Sequence, residues 1–135
     1  MHSGGFDAGS AAVGRNQLFF NDYIVAFDAN DGAAIAPFYH VPSVSIRADG
    51  STHCFLSQDQ LKSFFQSVTD RYHSEGYSTT RFDNLDVQPW GSKSAVATME
   101  WQMLRKDASI IREWRQSYNL IRTDGRLKIF VSTFH

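Results

Sequence analysis

The feature that most constrains the fold is the pattern after Ser78, where apolar and polar residues alternate between turn signals. The signals lie at Pro89-Trp90-Gly91, around Asp107-Ala108 and at Asp124-Gly125. Alternation with a period of two is typical of strands that bury one face, and such turn residues separate neighbouring strands. The second half of the chain is therefore predicted to form an antiparallel meander.

The first half of the chain carries helical patterns instead. Apolar residues of the first segment recur at spacings of three and four, at Phe20, Tyr23, Ile24 and Phe27. This spacing predicts an amphipathic helix from about Asn16 to a stop near Gly32. A short second helix or turn and a brief strand follow, and a capping-box pattern at Ser57 and Gln60 begins the clearest helix. Helices followed by a meander predict an α+β fold, with about three N-terminal helices packed on one face of an antiparallel sheet.

Composition restricts both the domain organisation and the partners. The chain has 135 residues, 42% of them hydrophobic, which is enough for one domain with a sizeable core. Thirteen Lys and Arg against fourteen Asp and Glu, with no long basic run, argue against nucleic acid or an anionic membrane surface as a partner. A single cysteine and no long apolar stretch favour a cytoplasmic protein. Residues 1–15, rich in Gly, Ala and Ser, are predicted to be a flexible tail before a single domain over 16–135.

The Asp124-Gly125 turn predicts a register for the last two strands. A two-residue turn of type I′ places Thr123 opposite Arg126, and the pairing then continues as far as Trp114 opposite His135. The preceding hairpin, if it closes through 106–109, adds Trp101 opposite Trp114, Met99 opposite Gln116, and Ala97 opposite Tyr118. One face of the predicted sheet is therefore mostly apolar.

The other face of the predicted sheet mixes charged, polar and aromatic residues. It carries Glu100, Arg115, Asn119, Phe130 and Phe134. Glu100 lies opposite Arg115 in the predicted register, and a cross-strand pair of opposite charge supports that register. Aromatic residues within a polar surface are common at subunit contacts, so we expect a homodimer through this face.

Two stretches, FFNDYIVAFDANDGAAIAPFYH and YNLIRTDGRLKIFVSTFH, give the chain a family resemblance. Together with the order of helices and strands, they resemble the nuclear transport factor 2-like superfamily, which includes SnoaL-like and ketosteroid-isomerase-like proteins. The resemblance covers about residues 16–135. It implies a cone-shaped fold with a curved sheet, a cavity between helices and sheet that holds small apolar molecules, and frequent dimerisation through the sheet.

The resemblance also suggests catalytic residues. Tyr23 looks like the tyrosine that donates a hydrogen bond to the developing oxyanion in ketosteroid isomerases. The general base of those enzymes would fall near Arg47 and their second acid near Trp114, and neither residue is a carboxylate, so isomerase chemistry of that kind is not expected. His40 and His135 are the alternative candidates, because the dehydratases of this superfamily use histidines and tyrosines in the cavity.

A ligand pocket is the first of three hypotheses about function. Its predicted lining mixes aromatic and polar groups, namely Phe27, Phe38, Met99, Trp101, Trp114, Gln116 and Tyr118. The second hypothesis is a cofactor-independent dehydratase, cyclase or isomerase that uses Tyr23 with His40 or His135. The third is a homodimeric interaction module with a filled cavity. The sequence has no phosphate-binding glycine loop and no metal-ligand spacing of histidines or cysteines, so no cofactor and no metal are expected.

Overall fold

The fold combines α-helices with a six-stranded sheet, and the last helix lies between the second and third strands in the chain. The structure is a computed structural model that describes the backbone of residues 2–135 and the side chains of residues 11–135. Its helices are α1 (His2–Asp28), α2 (Gly32–Ile35) and α3 (Gln58–Ser74), with a short 3-10 helix at Ala36–Phe38. Its strands are β1 (Tyr39–Ile46), β2 (Thr52–Phe55), β3 (Thr79–Trp90), β4 (Ser94–Leu104), β5 (Ile110–Thr123) and β6 (Arg126–Phe134). The predicted α+β class is confirmed.

The sheet is mixed, although the sequence pattern predicted a purely antiparallel one. Its strand order is β2-β1-β6-β5-β4-β3. The pairs β1–β2, β3–β4, β4–β5 and β5–β6 are antiparallel, whereas β1 and β6 run parallel. Short connections between consecutive strands require antiparallel pairing, but β1 and β6 are far apart in sequence and are free of that constraint.

The first helix begins earlier than predicted. The residue with a left-handed backbone after its end is also not the predicted glycine. It begins at His2 rather than near Asn16, so residues 2–15 are helical here, and the domain boundary at residue 16 stays a prediction. The small residues of that segment carry no apolar stripe that would reveal a helix. After the helix, Asn30 takes the left-handed conformation with φ of 55°, and Gly32, predicted as the stop, begins α2. Asparagine tolerates that conformation better than most residues.

Polar contacts stabilise the start of α3 and the end of α1. Ser57 Oγ accepts a hydrogen bond from Gln60 N at 3.1 Å, which confirms the predicted cap of α3. The C-terminal end of α1 is tied to β3 because the Asp28 carboxylate accepts hydrogen bonds from Thr79 Oγ1 at 2.6 Å and from the Tyr77 hydroxyl. The Asp28 contacts hold α1 beside one face of the sheet, here called the inner face, and α3 faces the same side across the cavity lining.

The predicted register holds for β4 and β5 but fails in the second half of β6. Trp101 lies opposite Trp114 and Met99 opposite Gln116, as predicted. In the last hairpin the pairing is as predicted from Thr123 to Leu120, which faces Ile129, but Tyr118 then faces Ser132 and not Val131. Phe130 is the extra residue of a β-bulge, and one extra residue exchanges the faces of every residue that follows it.

Candidate functional site

A cavity of about 480 Å³ lies between the inner face of the sheet and helices α1 and α3. Its wall is mostly aromatic and aliphatic, with Phe27, Phe55, Phe65, Val68, Trp101 and Trp114 among its members. The two tryptophan rings lie stacked with centroids 6.4 Å apart. A concave, mainly apolar space of a few hundred cubic ångströms is the usual form of a small-molecule site.

A pair of tyrosine hydroxyls lies at the wall of this cavity. The Oη atoms of Tyr23 from α1 and Tyr39 from β1 are 2.6 Å apart, and both side chains are buried. Burial raises the pKa of Tyr23 well above its ordinary value, and it also raises the pKa of Tyr39. Burial has the same effect on the pKa of the nearby Tyr118. These hydroxyls therefore stay protonated at neutral pH and act as neutral hydrogen-bond donors or acceptors.

Other polar atoms of the wall are partly unpaired. Trp114 Nε1 donates to Gln116 Oε1 at 2.9 Å. Ser43 Oγ has no hydrogen-bond partner among the described residues, and Ser43 is only 1% exposed. An unpaired buried polar atom costs about 1–3 kcal/mol. Ser43 lines the cavity, so a bound molecule with a suitably placed polar atom would recover that cost.

The rim of the cavity is positively charged. Three lining residues are arginines: Arg47 follows β1, Arg71 is on α3 and Arg112 is on β5. Arg112 Nη2 pairs with Glu75 Oε1 at 2.9 Å. Burial raises the pKa of Tyr72 beside them, and the charges of Arg112 and Arg71 oppose that shift. Within the described part of the chain, the residues that line the cavity include no aspartate, glutamate or histidine.

The structure brings most of the predicted pocket residues together. Tyr23, Phe27, Trp101, Trp114, Gln116 and Tyr118 all line the cavity. Met99 does not, because it is completely buried in the core. Phe38 does not line it either, and packs edge to face on Tyr23 with ring centroids 5.5 Å apart. These two side chains support the wall rather than form it.

The two candidate histidines lie on the other face of the sheet, here called the outer face. His40 follows the inward-facing Tyr39, and its Nδ1 lies 2.9 Å from the Pro42 carbonyl oxygen, with its ring against Phe130. His135 Nε2 lies 2.7 Å from Ser117 Oγ. The predicted position of His135 on the pocket face is wrong because of the bulge at Phe130. Neither histidine is brought together with Tyr23.

Sequence reasoning missed several residues of the cavity. The bulge turns Phe134, predicted on the outer face, into the cavity wall. Tyr39 begins strand β1, although the sequence pattern predicts a short helix or turn for its segment. Arg112 lies two residues before Trp114 on the same strand, so alternation could have indicated it. Arg71 precedes Tyr72 on α3, and only the position of α3 over the sheet shows that Arg71 reaches the rim.

The described residues offer little to hold a metal ion. Among them, no group of three or more His, Cys, Asp or Glu side chains is close enough to bind a metal. The charged groups of the cavity are guanidinium groups, which bind anions rather than cations. None of the helices described here combines the length and apolarity needed to cross a membrane.

Comparison with known families and structures gives one family. A family model described as NTF2-like protein (DUF6841) matches residues 15–135. No curated protein matches the chain.

Solved structures with the same fold share little sequence with this chain. Aln2 from a Streptomyces species aligns with a TM-score of 0.73 at 12% identity, over 90% of this chain and 87% of that one. An NTF2-like protein with a cystatin-like fold from Novosphingobium aromaticivorans aligns with a TM-score of 0.73 at 11% identity, over 92% of this chain and 80% of that one. The yeast UBP3-associated protein BRE5 aligns with a TM-score of 0.69 at 17% identity, over 90% of this chain and 92% of that one. At such identities the likeness shows the fold alone.

Proposed function

We propose that this chain, which belongs to the NTF2-like family DUF6841, binds a small, largely apolar molecule in the cavity between its helices and its sheet. The observation that carries the proposal is the cavity of about 480 Å³, walled mainly by aromatic and aliphatic side chains. Apolar surface that leaves water for such a wall contributes about 25 cal/mol per Å². The few polar atoms of the wall would orient the molecule.

The chemistry of the wall supports binding more than catalysis. Proton transfer near neutral pH needs a group that titrates there, usually a histidine or a carboxylate. Such groups are lacking among the described residues that line the cavity, and the pKa values of Tyr23 and Tyr39 are raised. A dehydratase, cyclase or isomerase using Tyr23 with His40 or His135 would need those histidines inside. The cavity is also open space, which does not favour an interaction module with a filled cavity.

A tryptophan at position 67 tests the binding site. Ser67 is an exposed residue of α3 that lines the cavity, so Ser67→Trp would obstruct the opening without changing the core. We expect the affinity for 2-naphthamide, a neutral aromatic probe, to fall at least about tenfold in isothermal titration calorimetry. The free energy of unfolding should change by no more than about 0.5 kcal/mol, as is usual for a surface substitution.

Ser63→Trp is the matched control for that experiment. Ser63 is also exposed on α3 but does not line the cavity. We expect this variant to bind 2-naphthamide like the unaltered protein. Equal binding by both tryptophan variants would mean that the probe binds outside the cavity, and the proposal would fail.

We also propose that the outer face pairs two copies of the chain. Glu100 and Arg115 are exposed neighbours on this face, and they form no ion pair with each other among the described residues. In a two-fold symmetric interface, each would meet the opposite charge of the second copy. Half-buried Val96 and Phe130 supply apolar surface beside them, and Asn119 lies on the same face.

Phe130→Glu tests this interface. A carboxylate at an apolar contact would be desolvated on association, so we expect the variant to be monomeric at concentrations where the unaltered protein is dimeric, by sedimentation equilibrium. Val25→Glu is the control, since Val25 is 68% exposed on α1. A monomeric unaltered protein, or a Phe130→Glu variant that remains dimeric, would contradict the proposed interface.

A further inference from the structure

We propose that the molecule bound in this cavity is an amphipathic carboxylic acid, with its carboxylate held at the rim by Arg71 and Arg112 and its apolar body inside. The inference rests on the proposed function and specifies the chemical class of the ligand. It follows from three features: where the arginines lie, which charges surround them, and what the interior accepts.

The rim arginines meet at one end of the sheet. Ile46 pairs with Thr133, and Thr133 pairs with Ser117, so the ends of β1 and β6 lie beside the middle of β5. Because β5 and β6 are antiparallel, the first residues of β5 extend beyond that end of β6. Arg47, directly after β1, and Arg112, in the first half of β5, are therefore at the same end. Both line the cavity.

Arg71 reaches the same region from the helix layer. Its guanidinium carbon and that of Arg112 each lie 5.7 Å from the centre of the Tyr72 ring. Cation–π contact of this kind holds a guanidinium over an aromatic ring while leaving its N–H groups free to donate. Two arginines from different elements are thus positioned around one aromatic side chain of the cavity wall.

The positive charge of the rim exceeds the negative charge near it. Among the described residues, Glu75 is the only carboxylate in an ion pair with a rim arginine, and its partner is Arg112. Arg71 and Arg47 form no ion pair within that part of the chain. The Asp49 carboxylate lies near Arg47, but its hydrogen bonds come from Ser51. A guanidinium presents a planar set of donors that matches the two oxygens of a carboxylate. The rim therefore favours an anion, and disfavours a cation, at the entrance.

The interior limits how many charges the molecule can have. Behind the rim the wall is aromatic, and its polar groups are neutral: the hydroxyls of Tyr23, Tyr39 and Ser43, the side chain of Gln116 and the indole nitrogen of Trp101. A second ionised group placed there would lose its hydration without gaining an opposite charge. One acidic group at the end of an apolar body fits both regions, whereas a polyanion does not.

The test compares an acid with its neutral amide. Isothermal titration calorimetry with 2-naphthoate and 2-naphthamide, and in parallel with 4-phenylbutyrate and its amide, measures the preference for the charged form. We expect the unaltered protein to bind the acid of at least one pair about tenfold more tightly than the amide. In Arg71→Gln the preference should fall below about threefold, with the affinity for the amide unchanged. The preference should also weaken as sodium chloride is raised, because the rim charges are exposed.

Arg126→Gln is the matched control, because it removes the same charge at the exposed start of β6, away from the cavity lining. It should keep the full preference for the acid. Equal binding of acid and amide by the unaltered protein would overturn this inference and leave the proposed function standing. A loss of both affinities in Arg71→Gln would also overturn it, since Arg71 would then shape the opening rather than bind the charge. Failure of every probe to bind would overturn the proposed function and this inference together.

Discussion

Replacing Phe20 by alanine is expected to lower the free energy of unfolding by about 3–5 kcal/mol, as for other buried phenylalanines. Phe20 is completely buried, and its ring lies 4.9 Å from that of Tyr118 and 6.2 Å from that of Trp101. It also contacts the ring of Tyr23 edge to face. Its removal would leave a void behind three residues of the cavity wall. Urea denaturation followed by tryptophan fluorescence measures the change.

Leu18→Ala is the control on the same helix. Leu18 is 66% exposed, so its replacement should change the free energy of unfolding by no more than about 0.5 kcal/mol. The difference between the two variants isolates burial from any general effect of alanine on α1. If Phe20→Ala lowered the free energy of unfolding as little as Leu18→Ala does, α1 would not pack on the sheet as described. The cavity would then lack one of its walls.

Short-range patterns predicted the centre of the sheet correctly. The register of β4 and β5 followed from alternation, and it placed Trp101, Trp114 and Gln116 on one face. In a strand every second side chain shares a face, so the pairing of one residue determines that of its neighbours. That is why most of the cavity wall on the sheet side could be predicted without a structure.

The same logic failed where one residue breaks the alternation. The bulge at Phe130 moves Phe134 inward and His135 outward, and no single residue of that strand signals it. Alternation therefore predicts His135 in a cavity that it does not enter. The rim could not be predicted for another reason: Arg71 and Arg112 are far apart in sequence and meet only because α3 lies over the start of β5.

Gly32 has a different structural role from the one that its position after an amphipathic helix predicts. A glycine after an amphipathic helix predicts a helix stop with a left-handed backbone. Here Asn30 supplies that conformation, and Gly32 begins α2 close to α3. Its N–H donates to Gln66 Oε1 at 2.8 Å, and Gln66 Nε2 donates to the Asn30 carbonyl at 3.3 Å. These contacts bring α2 close to α3, and an added Cβ at Gly32 would collide with the α3 backbone.

Gly32→Ala should consequently destabilise the protein by about 1–3 kcal/mol, the usual cost of overpacking. An added Cβ would lie 2.8 Å from Gln66 N and closer still to the Lys62 carbonyl oxygen, both of which are backbone atoms that a rotamer change cannot move. Alanine is otherwise favoured over glycine in a helix by about 0.5–1 kcal/mol, so the predicted sign is opposite to the intrinsic preference. Urea denaturation measures whether the free energy of unfolding falls or rises in this variant.

Gly14→Ala provides the comparison, since Gly14 lies in α1 and an added Cβ there meets nothing within 4 Å. The free energy of unfolding of this variant should rise by about 0.5–1 kcal/mol, because only the intrinsic preference of a helix for alanine over glycine acts. Changes of opposite sign in the free energy of unfolding of the two variants would support the packing of α2 against α3 above the cavity. A stabilising Gly32→Ala would instead separate these helices, and the position of Arg71 at the rim, which depends on α3, would have to be revised with them.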